Sequence, residues 1–271
     1  MSSRKGAAAG LVLILALMVA GSGEAQRRGR FEVRLATPES FDGSFQFCRI
    51  AFRGNRAGDG AGWSVDYPRA DINMSIRLSE LTKTRVSFSA PQAPNHLVTQ
   101  LTDASLFQCP FVMLTEVGAA FLDDAEATAL RNYVLKGGFV WADDFWGEYA
   151  WQVWADQLGK ALPPGQYPIR DLPPDHPLYR SQFVLDQVPQ IASIGFWAGT
   201  GGGTSERYEE SAVPHARAIS DDNGRIMVLM THNTDIGDSW EEEASNPQYF
   251  YEMSVKGYAF GINVLVYAMS H

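Results

Sequence analysis

Gly137-Gly138-Phe139-Val140-Trp141-Ala142-Asp143-Asp144-Phe145-Trp146-Gly147 holds a helix stop, a buried strand and a polar strand end in one short run. The stretch before it, from about Asp123 to Lys136, reads as a helix. Asp123 and Glu126 have capping-box spacing, and Leu130, Tyr133 and Val134 share an apolar face. Gly137 and Gly138 end that helix, because glycine takes the left-handed C-terminal cap without a Cβ penalty. Phe139 to Ala142 reads as a strand that is apolar on both faces, the pattern of a parallel sheet. Asp143 and Asp144 stand where it ends, and ligands of open α/β sheets bind at the carboxyl ends of strands.

Upstream, Phe45 to Phe52 reads as the first strand. Gly54 to Gly62 is a glycine-rich loop. It lacks the Gly-Lys-Ser/Thr ending of a phosphate cradle and reads as a plain flexible loop. Pro68 suits the first turn of a helix whose face carries Ala70, Met74, Leu78 and Leu81. Thr84 to Ser89 reads as the second strand. A polar, proline-bearing segment and a short helix near Asp103 to Phe107 follow. Pro110 to Thr115 reads as the third strand, with Glu116 at its end.

Downstream, Gly147 to Ala161 reads as an aromatic-rich helix. Residues from about 162 to 210 hold Pro163-Pro164, Pro173-Pro174 and Gly201-Gly202-Gly203 and read as an irregular insertion, a candidate cap over a site. Val213 to Ser220 and Arg225 to Thr231 read as a hairpin closed by Asn223-Gly224. The last helix, from about Pro247 to Met269, is apolar nearly all round and is expected to be buried, with Gly257 and Gly261 admitting a closely packed neighbour. Strand and helix alternate four times. This predicts an α/β fold with a central, mostly parallel sheet in the flavodoxin-like order 2-1-3-4-5, plus a C-terminal hairpin and a buried terminal helix.

The first residues have the features of a leader. Arg4 and Lys5 are a basic start, Ala7 to Ala20 is apolar over 14 residues, and Gly23 and Ala25 are small. A signal peptide over 1–25, a linker over 26–44 and a single domain over 45–271 are expected, in a periplasmic or secreted protein. An uncleaved N-terminal membrane anchor is the alternative. The chain carries a formal charge of −9, and loss of Arg4, Lys5 and Glu24 takes it to −10. With no basic cluster, this excludes nucleic acid as an expected partner, and membrane contact beyond the leader. The partner expected is a small-molecule ligand or a protein. Cys48 and Cys109 lack the paired spacing of a zinc site. They open the first and third strands, which neighbour each other in the order 2-1-3, and an exported chain can join them as a disulfide.

Polar residues collect at the predicted strand ends. Asp66, Glu116, Asp143 and Asp144 follow strands one, three and four, and His232, Asn233, Asp235 and Asp238 follow the last. In a parallel sheet all can face one crevice. Ligand-binding candidates are Asp66, Asp143, Asp144, Asn233 and Asp238; catalytic candidates are Asp144, His232 and Asp235. Carboxylates held together raise one another's pKa unless a cation is present. The set therefore suits acid–base work or a hard divalent cation, although no cofactor or metal centre is dictated by a motif. Helix capping is the competing role for each aspartate. His176, in Asp175-His176-Pro177, is a turn residue or a lid residue. The aromatic residues from Trp141 to Trp154 are core or a platform for a sugar ring. Nucleophilic catalysis is disfavoured, since the turn after strand four presents Asp-Asp-Phe-Trp where an α/β enzyme presents serine or cysteine.

Five motifs in order carry a resemblance: Trp63 to Asp71, Leu106 to Phe111, Leu130 to Asp144, Asp175 to Tyr179, and His232 to Glu241. Together they resemble the bacterial domain-of-unknown-function family 4159, from about Phe45 to the C-terminus. That family is similar in fold to the class I glutamine amidotransferase-like superfamily. The resemblance implies a flavodoxin-like three-layer sandwich and no established activity. The amidotransferase cysteine is missing, because its elbow falls near Asp143 and Asp144. The function expected is thus a non-catalytic binding or assembly module. The alternative is a carboxylate- and histidine-dependent, metal-assisted hydrolase acting on a cell-envelope or carbohydrate substrate.

Overall fold

The computed structural model describes residues 33–271. The expected leader, and residues 26–32 of the expected linker, lie outside them. Seven strands form the main sheet: β1 (Phe47–Ile50), β2 (His96–Thr99), β3 (Phe111–Thr115), β4 (Phe139–Asp143), β5 (Arg170–Asp171), β6 (His215–Ser220) and β7 (Ile226–His232). Their spatial order is β2-β1-β3-β4-β7-β6-β5. The first five in that order run parallel, and β6 is antiparallel to both β7 and β5. The sheet is central and mostly parallel, as the alternation of strand and helix implied.

Side chains alternate across it. Phe111, Met113, Phe139, Trp141 and Leu229 enter one core, with α1 (Arg69–Leu81), α5 (Ile236–Glu241) and α6 (Val255–Ser270). Val112, Leu114, Val140, Ala142, Val228 and Met230 enter the other, with α2 (Asp124–Leu135) and α3 (Gly147–Ala161). Strands apolar on both faces follow from having helices on both faces. Asp123 caps α2 reciprocally with Glu126, and Asp123 Oδ1 accepts the Glu126 amide at 2.9 Å. The close approach expected at the terminal helix is present. A Cβ on Gly261 would lie 2.4 Å from the Trp240 ring, and one on Gly257 would strike Ser239.

The expected strand order 2-1-3-4-5 is corrected. Thr84 to Ser89 is not the edge strand. Val86 makes a single bridge to Phe45, and Phe88–Ala90 turns outward to pair with Ala93–Pro94, all three of its residues exposed. The edge is β2, in register with β1 from Phe47–His96 to Ile50–Thr99 and buried throughout. The physical reason is burial: Leu97 and Val98 supply apolar side chains to the sheet where Ser87 and Ser89 cannot. Part of the expected linker covers this edge, since the Ala36 amide donates to the Val98 carbonyl and the Val98 amide to the Arg34 carbonyl, both at 2.8 Å. Beyond β4 the sheet continues through the whole hairpin and then β5.

The insertion is more regular than its prolines suggest. It contributes β5, a helical turn at Pro177–Arg180 and α4 (Ile194–Thr200). Cys48 and Cys109 form a disulfide at the amino ends of β1 and β3, with Cα atoms 6.2 Å apart. Among the described residues no helix is long and apolar enough to cross a membrane.

Candidate functional site

At the carboxyl end of the sheet the backbone turns sharply. Asp66, Glu116, Asp144 and Asn233 have φ of 63°, 53°, 57° and 60°. Left-handed backbone is uncommon for residues other than glycine and clusters at functional sites. Glu116, Asp144 and Asn233 each directly follow a strand. The ladder survives the turn, since the Glu116 amide donates to the Asp143 carbonyl and the Asn233 amide to that of Phe145, both at 3.0 Å.

Asp66 is placed by Arg49. This arginine stands in β1 with its side chain fully buried, and its guanidinium meets Asp71, in the first turn of α1, at 2.5 Å. It also donates to the carbonyls of Trp63 and Val65 at 3.2 and 3.0 Å and to Thr115 Oγ1 at 2.8 Å. A buried charge needs a pair and filled hydrogen bonds. Here the same bonds fix the loop that ends at Asp66.

Asp66, Glu116, Asp144, Asp235 and Asp238 line one crevice of about 250 Å³. Ser193, Glu206 and Arg207 of the insertion form part of its wall, and Asp59 and Gly60 of the glycine-rich loop another. Arg207 is paired with Asp59 at 2.8 Å, half exposed. Asp144 Oδ1 accepts the Trp146 indole N–H at 3.1 Å, and Asp235 Oδ1 accepts the Asp238 amide at 2.8 Å. Asp238 Oδ2 lies 2.8 Å from both the Tyr249 hydroxyl and the Ile194 amide. The Glu116 carboxylate accepts the Ala61 amide. Asp66 Oδ2 is buried and has no hydrogen-bond partner among the described residues.

Burial pushes the carboxyls of Asp66, Asp144 and Asp235 well above the usual range, and their neighbours' negative charge adds to it. Burial likewise raises Glu116, and takes Asp238 up to about 6. The arrangement can hold positive charge, or keep a carboxyl protonated near neutrality. A larger groove, of about 640 Å³, opens at the other end of the sheet beside Cys48, and none of the described residues that line it is acidic.

Three expected site residues do other work. Asp143 is fully buried and accepts the Thr231 hydroxyl and, at 3.0 Å, the Gly237 amide, so it ties β4 to β7 and α5. Burial pushes it up to about 7. His232 points away from the crevice lining. Its Nε2 meets the Gly147 carbonyl at 3.0 Å, its Nδ1 meets Arg217 at 3.3 Å, and it packs on Phe145 and Trp151. Burial pushes it down to about 4. Asn233 accepts the Gly147 amide at 2.9 Å and donates to the Val213 carbonyl. Capping and site membership coincide at Asp235, which caps α5 and lines the crevice.

His176 accepts the Leu178 amide within its own turn. Of the aromatic residues, Trp141 and Trp154 are core, while Phe145 and Trp146 reach the crevice. Nothing in the sequence pattern marks Tyr249 or Arg207 as crevice residues. Arg49 had a signal, a lone charge inside an apolar strand, which demands a buried partner.

The family model described as Domain of unknown function (DUF4159) matches residues 48–269, and the chain belongs to that family. No curated protein matches it.

Proposed function

We propose that this member of the DUF4159 family is an exported binding module that takes a positively charged ligand into its strand-end crevice without covalent chemistry. One observation carries the reading: seven acidic side chains line one small crevice, five of them Asp66, Glu116, Asp144, Asp235 and Asp238, while its lining arginine, Arg207, is paired with Asp59. Burying like charges is costly unless a cation compensates them. The left-handed turn after β4, where an α/β enzyme presents its nucleophile, holds Asp144. Both cysteines are bridged at the opposite end of the sheet. We propose that the fold is a glutamine amidotransferase-like one without the nucleophile; the mostly parallel central sheet and the left-handed turn after β4 support this reading. The disulfide is compatible with export; mass spectrometry of the mature chain, finding a start near residue 26 and not at Met1, tests the leader.

The raised carboxyl of Asp144 keeps a second reading in view, a carboxylate-dependent hydrolase of cell-envelope or carbohydrate substrates. Its histidine-dependent form has no support in the bonds His232 makes. The test is calorimetric titration of the purified protein with calcium, magnesium and manganese chlorides, spermidine and glucosamine. At least one of these binds the wild type, and Asp144→Asn with Asp235→Asn removes the heat. No binding by any of them refutes the binding reading.

A further inference from the structure

We infer that Asp66, Asp235 and Asp238 form a binding site for a hard divalent cation. The inference rests on the binding role proposed for the crevice and names its ligand class. Each of the three offers one carboxylate oxygen, and these oxygens lie within 4.8 Å of one another. One ion with oxygen ligands at about 2.3–2.6 Å needs those oxygens within about 5 Å of one another, a condition that the three meet.

Asp66 gives the independent sign of a ligand. Its residue is 6 % exposed, it lines the crevice, and its Oδ2 has no hydrogen-bond partner among the described residues. A carboxylate oxygen in that condition lacks the compensation that buried polar groups normally have. The other two are oriented from behind. The Asp238 amide holds Asp235, and the Tyr249 hydroxyl and Ile194 amide hold Asp238. Outer partners of this kind orient metal ligands and tune affinity.

Gly237 makes room for the group. A Cβ there would lie 2.4 Å from Asp66 Oδ2 and 3.7 Å from Asp235 Oδ1. All the donors are carboxylates, with no thiolate or imidazole among them, which selects calcium, magnesium or manganese over zinc. Asp238 also stands near Glu241 and Glu242, but Arg69 pairs with both of these, at 3.3 and 3.5 Å. Arg49 is buried too, and Asp71 already neutralises it.

The test uses the full chain, stripped with EDTA and titrated calorimetrically with the three metal chlorides. Spermidine and glucosamine serve as organic cations. One metal ion per chain is expected. Asp66→Asn weakens it at least about 100-fold, Tyr249→Phe about 10- to 100-fold, and Glu241→Gln little. Thermal unfolding in EDTA checks that each variant folds, and if Asp66→Asn does not, Gly237→Ala takes its place with the same expected loss. Metal binding that survives Asp66→Asn but is lost in Glu241→Gln overturns the inference. So does binding of an organic cation alone, lost in Asp144→Asn, although the crevice would then still be a binding site. Absence of all binding overturns both.

Discussion

His232 shows how one residue's surroundings decide its role. Burial holds its ring neutral, with a pKa of about 4 against an ordinary 6.5; the charge of Arg217 adds to this, and the bond to the Gly147 carbonyl opposes it. The unfolded chain therefore binds a proton between those values that the folded chain refuses. The stability His232 contributes is complete above pH 6.5 and is lost as pH falls toward 4, by up to about 3 kcal/mol. The raised carboxyl of Asp143 acts in the opposite sense. Its contribution is complete below 3.8 and is lost as pH rises toward 7. Urea midpoints of wild type and His232→Gln at pH 7.5, 6 and 4.5 separate the two, since Asp143 is common to both proteins. The wild type's advantage should shrink steadily with acid; a constant difference would refute the assignment. That His232 lies near the carboxyl end was legible from its place after a strand. That it faces α3 and not the crevice was not, because one residue along a strand reverses the face.

At the scale of elements, the readable parts were those whose pattern is local. The helix α2 with its cap, the strand β4 and the hairpin are each written in a few adjacent residues. The edge strand was not, because a choice between Thr84–Ser89 and His96–Thr99 depends on which segment α1 and residues 34–36 leave room for. The disulfide was legible as a pairing of strand starts, and it joins two elements 61 residues apart in sequence. Loop-closure entropy for that separation is about 4 kcal/mol. The double variant Cys48→Ala and Cys109→Ala should lose stability of that order in guanidinium unfolding. Its crevice, at the far end of the sheet, should keep its affinity for cations. Loss of binding with no loss of stability would show that the bridge acts on the site.

Over the whole molecule, the parallel sheet told where to look for a site, and the sequence supplied the acids. It could not say which acids would share the crevice. Glu116 and Asp144 reach it and Asp143 does not, although Asp143 and Asp144 are adjacent; the left-handed turn between β4 and α3 separates their directions. That turn has a wider consequence. Asp66, Glu116 and Asp144 each occupy backbone that suits glycine better, at roughly 1–2 kcal/mol for an ordinary residue. They also face one another with like charge. The fold is thus held below the stability its own scaffold allows, and three of the positions responsible are in the crevice. Asp144→Gly should make the cation-free protein more stable by about 1 kcal/mol in urea unfolding while weakening what the crevice can hold. A variant that is less stable would mean that Asp144 supports the scaffold. The expected result instead describes a scaffold that gives up part of its own stability at the positions that shape the crevice.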